Sequence, residues 1–115
     1  QESRGLGDVY KRQPIPGVLA LMTPGHTPGH MSFEIANGSQ SALIVGDAIN
    51  DHHVAFKRPN WLNGLDQNPE EAAQTRQKLL NRISNEDMLI IGFHLPKGGI
   101  GRVAQSGAEY SFVNI

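Results

Sequence analysis

Thr23-Pro24-Gly25-His26-Thr27-Pro28-Gly29-His30 sets two histidines among two prolines and two glycines. Such a segment cannot be helix. Pro24 and Pro28 fix φ, and Gly25 and Gly29 permit backbone geometries that other residues resist. The stretch reads as a stiff loop that aims an imidazole. Apolar runs flank it, at residues 18–22 upstream and 31–36 downstream. A histidine on a rigid loop between two strands is a candidate metal ligand. The question for the rest of the chain is where further ligands come from.

Working outward, residues 17–22 predict a strand. Residues 31–36 alternate apolar and polar, the period of a half-buried strand. Asn37-Gly38 is a turn signal. Residues 42–45, Ala-Leu-Ile-Val, predict a buried central strand that ends at Gly46-Asp47, which puts a carboxylate at the strand's tip. Residues 48–67 predict a mostly irregular connection, long enough to suggest a functional loop. A marked helix comes next. Asn68 suits the N-cap, Pro69 the first helical position, and Glu71 gives a capping-box-like arrangement. Ala72, Ala73, Leu79, Leu80 and Ile83 share one face, so this helix packs on a sheet by one side. Residues 88–91 predict a second buried strand, ending in Gly92-Phe93-His94. Residues 102–105 and 109–113 predict a closing hairpin around Ser106-Gly107.

The 115 residues suffice for one small domain. A net charge of −1 gives no strong field for nucleic acid or an anionic membrane. No apolar run approaches bilayer length. The expectation is a soluble protein, with cytoplasm and exterior both open. The absence of cysteine excludes disulfides, thiolate metal sites and a cysteine nucleophile. Residues 1–13 show no clear period and do not match residues 14–115 in character. Residues 5–13 resemble translated sequencing-adapter read-through. The expected organisation is a non-native or disordered leader over 1–13 and one partial domain over 14–115.

Three groups stand out: His26 on the stiff loop, Asp47 at one strand tip and His94 just past another. Each alone has a plainer reading. A histidine near a strand end is usually a hydrogen-bonded structural residue, and an aspartate there is usually a turn or cap residue. The joint pattern is stronger, because all three follow apolar strands that can converge on one sheet edge.

The loop motif, then Val45-Gly46-Asp47, then Gly92-Phe93-His94-Leu95-Pro96 after a helix, resembles the C-terminal half of a metallo-β-lactamase-fold hydrolase. The resemblance covers roughly residues 17–113. The branch it resembles is the methyl-parathion-hydrolase-like and quorum-quenching-lactonase-like group. Residues 56–61, 65–70 and 94–101 carry that likeness. The implied fold is α+β: one half of an αββα sandwich, a single mixed sheet with one main helix on it. The resemblance further implies that His26 ligates a first metal, that Asp47 bridges two metals and is the catalytic residue, and that His94 ligates the second. His30, Gly25, Gly29 and Gly46 would be structural. His53, Phe56, Trp61 and Phe93 are candidate pocket residues for an apolar substrate, with ordinary packing as the alternative.

The family's other ligands come from an HxHxDH motif in the N-terminal half, and none exists here. Asp51-His52-His53 lies in the wrong half and lacks the preceding His-x-His. The implied parent is a hydrolase using two divalent ions, zinc first, with manganese or iron as alternatives. It would cleave a lactone, aryl ester or phosphotriester. This chain alone is expected to be inactive, since a catalytic zinc needs about three protein ligands. Its expected partners are a small-molecule substrate and the missing half of the fold. Neither nucleic acid nor membrane is expected, and the oligomeric state is open. A sheet face apolar and exposed where that half would pack is expected too. Other classes also remain open: an iron redox protein, a thiol dioxygenase, or a binding domain without catalysis. β-Lactamase proper and RNA processing fit less well, since the loop after Asp47 resembles neither branch.

Overall fold

The computed structural model describes residues 11–15 and 17–115, with side chains from residue 17 onward. Seven strands form one mixed sheet in chain order. They are β1 (Lys11–Ile15), β2 (Val18–Met22), β3 (Met31–Asn37), β4 (Gln40–Ile44), β5 (Leu89–Ile91), β6 (Ile100–Ser106) and β7 (Glu109–Asn114). Every neighbouring pair is antiparallel except β4 and β5. That parallel pair needs a crossover, which α1 (Val54–Lys57) and α2 (Pro69–Asn85) supply. The sheet and helices realise the α+β half-sandwich expected. The boundary placed after Gln13 falls inside β1, whose pairing with β2 requires only backbone groups; residues 1–10 of the expected leader lie outside the described residues.

Helix α2 begins as its cap predicts. The Asn68 side chain accepts from Glu71 N–H at 3.1 Å, with Pro69 in the first turn. Its inner face buries Ala72, Ala73, Leu79, Leu80 and Ile83. Against them lie Leu21, Leu43, Val45 and Ile90 of the sheet, together forming the core. The stretch 48–67 is less irregular than expected, because it contains α1. Asp51 Oδ1 accepts from the backbone N–H of His53 and Ala55, which starts that helix where no apolar period announces it. The short helix turns Phe56 fully into the core, edge-to-face with Phe112 of β7.

The register sorts the sheet into two faces. Leu19, Leu43 and Ile90 point at the helices. Their neighbours Ala20, Phe33, Ile44, Ile91 and Ile100 form an apolar row across the opposite face. Ile35 and Ile100 on that face are 38% and 39% exposed. The face expected from the half-fold is therefore apolar and partly exposed, with Phe33, Ile44 and Ile91 half-buried and Ala20 buried. No helix among the described residues is long and apolar enough to cross a membrane.

Candidate metal centre

The histidine loop connects β2 to β3 and closes on itself through Thr23 N–H to the His30 carbonyl at 3.0 Å. It lies directly on the start of α2. Gly25 sits at φ +135°, and a Cβ there would meet Ala72 backbone atoms at 2.3 Å. No side chain fits at that contact. Gln67 N–H and Asn68 N–H donate to the His26 and Gly25 carbonyls at 3.1 and 2.8 Å. The helix start and the histidine loop are thus strapped together. Gly29 has open space around it and no positive φ, so its surroundings place no demand for glycine.

The β4 tip brings Asp47 to this loop, and the β5 tip brings His94. His94 Nε2 lies 2.9 Å from Asp47 Oδ1, and His26 Nε2 lies 3.6 Å from Asp47 Oδ2. One carboxylate is thus faced by an imidazole on each oxygen. The hydrogen bond from His94 holds the Asp47 carboxyl below its ordinary value, with the charges of His26, His94 and His30 adding to it against modest desolvation.

His30 works on the backbone instead. Its Nε2 accepts from Asp47 N–H at 3.0 Å, which requires the Nδ1–H tautomer. Nδ1 then donates to Thr23 Oγ1 at 2.9 Å. Thr23 in turn meets Ser32 Oγ at 2.9 Å, and Ser32 donates to the Val45 carbonyl at 3.4 Å. The chain of donors closes around the β4 tip and fixes where Asp47 leaves it. Gly46 turns there at φ +55°, and a Cβ would press on His30 Nε2 at 3.0 Å. Burial lowers the His30 pKa and favours the neutral ring this network needs, although the Asp47 charge pulls the other way.

The four candidate pocket residues do not converge. Phe56 is a core residue and lines no surface, because α1 points it inward. Trp61 lines a cleft of about 330 Å³ with Asp51, Arg58 and Arg76. It shares a second cleft of about 340 Å³ with His53, Lys57 and Glu109. Phe93, 91% exposed, stands at a third cavity of about 460 Å³ with Ile44, Ile91 and Leu95. That cavity is lined by Gly46 and Phe93, the chain neighbours of Asp47 and His94.

One further residue, inside the 65–70 stretch that carries the resemblance, has no role assigned from the sequence. Asp66 Oδ1 lies 2.9 Å from His26 Nδ1, its side chain only 2% exposed. A carboxylate can only accept here, so Nδ1 of a neutral His26 holds the proton and Nε2 keeps its lone pair. That lone pair faces Asp47 Oδ2 beyond hydrogen-bonding distance. Two acceptors facing each other are an arrangement that a cation relieves. His26, Asp47 and His94 bring together two imidazoles and a carboxylate, the side-chain types that bind divalent ions. Among the described residues, no group of three or more such side chains is arranged to hold a metal ion by itself.

Residues 8–94 match the sequence model of the metallo-beta-lactamase superfamily. The chain belongs to that superfamily. Among solved structures, this superfamily member is similar to "hydrolase AbOPH in beta lactamase superfamily", with 33% identity and a TM-score of 0.82 over 88% of the chain. It also resembles an N-acyl homoserine lactone hydrolase, with 29% identity and a TM-score of 0.61 over 75% of the chain. The fold alone is shared with AidC, a dizinc quorum-quenching lactonase, with 23% identity and a TM-score of 0.83 over 90% of the chain. The lactone hydrolase is an enzyme of the kind that the sequence resembles. The chain spans 35%, 34% and 35% of their respective lengths. No curated protein matches it.

Proposed function

We propose that this chain is the C-terminal part of a metal-dependent hydrolase that cleaves an ester, lactone or phosphotriester in a small molecule. The observation that carries the reading is the Asp47 carboxylate, flanked by His94 Nε2 on one oxygen and His26 Nε2 on the other. His26 and Asp47 would hold one divalent ion, and Asp47 and His94 a second, with zinc as the first candidate. Ions held there supply a water of lowered pKa and polarise an acyl or phosphoryl oxygen. The chain's own part is positional. His30 fixes the backbone of Asp47, and the imidazoles of His26 and His94 face its two carboxylate oxygens. Ile44, Ile91, Phe93 and Leu95 offer an apolar wall to a substrate's acyl or aryl portion. The neighbours bound to N-hexanoyl-homoserine products support a small-molecule substrate.

One shared carboxylate and one imidazole per ion fall short of a catalytic shell. The remaining ligands belong to a histidine-rich segment outside this chain, and the 115 residues alone are inactive. The test is the parent protein, expressed with Zn²⁺ or Mn²⁺ and assayed on lactones, aryl esters and phosphotriesters. Metal-dependent turnover on at least one class is expected, and Asp47→Ala should reduce it more than about a hundredfold, beyond the usual cost of losing an outer-shell partner. A parent with no metal-dependent turnover on any class refutes the reading.

A further inference from the structure

Asp66 is buried at a cost that the core does not require. Its Oδ2 has no hydrogen-bond partner, and the nearest cation, Arg76 Nη1, stands 3.9 Å away. A buried carboxylate oxygen without a partner is unfavourable. Arg76 directs its Nε and Nη2 to the carbonyls of Pro59 and Trp61 rather than to Asp66. The only hydrogen bond of the Asp66 side chain among the described residues is the one to His26 Nδ1. The backbone on both sides of Asp66 is held. Its own N–H donates to the Asn63 carbonyl at 3.1 Å, and the next two residues donate to the histidine loop.

We propose that Asp66 is a positioning residue: it fixes the tautomer and ring direction of His26, so that the Nε2 lone pair faces Asp47. Without Asp66, Nδ1 loses its acceptor. The proton can then move to Nε2, where Asp47 Oδ2 is available after a small approach. A proton on Nε2 occupies the lone pair that a metal would use. The tautomer claim stands on the geometry alone; its consequence for metal affinity rests on the function proposed above.

The test uses the 115-residue chain with ¹⁵N-labelled histidine. Long-range ¹H–¹⁵N correlation, or solid-state ¹⁵N spectra of associated protein, reads the tautomers at pH 8. A His26→Gln variant assigns the His26 signals. The wild type should show His26 as Nδ1–H, and Asp66→Ala should shift it to Nε2–H. His30 is an internal control, because its Nδ1–H form depends on Thr23 and Asp47 and must persist wherever the loop is folded. If Asp66→Ala loses the His30 signature, the isosteric Asp66→Asn decides, since its amide can donate to Nδ1 and drive the proton to Nε2. A wild-type His26 already in the Nε2–H form overturns the proposal. So does an unchanged tautomer in a variant that keeps the His30 control. Zinc competition titration is the second arm, with affinity about ten- to a hundredfold weaker in the Asp66 variant. A tautomer shift in a chain with no measurable zinc affinity supports the role of Asp66, and the metal reading is then decided by the turnover of the parent protein.

Discussion

His30 and His26 sit four residues apart and do opposite work. His26 presents Nε2 outward, toward Asp47. His30 uses both nitrogens inside the fold, accepting from Asp47 N–H and donating to Thr23. The division comes from burial and partners, not from the motif's spelling. It also makes the neutral form of His30 a folding requirement. Burial lowers its pKa from the ordinary 6.5. The unfolded chain therefore takes up a proton at higher pH than the folded one does. The contribution of His30 is complete above about pH 6.5, the ordinary histidine value, and is lost as pH falls through the lower folded value. The thermal midpoint should fall between pH 7.5 and 5, and His30→Gln should flatten part of that slope while lowering the midpoint at pH 7.5. Equal slopes in the two proteins would remove His30 as a contributor.

At the scale of elements, the histidine loop and the start of α2 form one unit. Gly25 has no Cβ because Ala72 backbone atoms occupy its place, and two backbone hydrogen bonds cross the same contact. Gly25→Ala forces the two apart in a conformation that already disfavours a side chain. A loss of about 1–3 kcal/mol or more is expected in urea unfolding. An unchanged denaturation midpoint would mean that loop and helix are not in contact. This coupling shows what could be read in the sequence. The cap at Asn68, the inner face of α2 and the strand tips bearing Asp47 and His94 were legible, because caps and periodicity are local. Helix α1 was not, since four residues carry no period. Phe56 therefore read equally as a pocket or a packing residue until α1 turned it inward. Asp66 was the least legible. Forty residues separate it from His26, and its role exists only because the Gly25 contact brings the two segments together.

For the whole molecule, the decisive feature is the asymmetry of the sheet. Its helix-facing side buries Leu21, Leu43, Val45 and Ile90 completely. Its other side carries the row Ala20, Phe33, Ile44, Ile91 and Ile100, with Ile35 beside it. A contiguous apolar face of this kind drives association in proportion to the area it removes from water. The chain covers only 35% of the solved hydrolase it matches at 33% identity, and the face lies next to the cavity at the strand tips that carry Asp47 and His94. The 115-residue chain should therefore associate in solution in a concentration-dependent way. Ile35→Lys and Ile100→Lys together test this, because both side chains are partly exposed already and stay on strands. Each should cost no more than about 1 kcal/mol of stability, the span of strand propensity. Sedimentation velocity should show the double variant shifting toward monomer, with its far-UV circular dichroism unchanged. A wild-type chain that stays monomeric at high concentration, or a double variant that associates as before, would show that this face does not drive assembly.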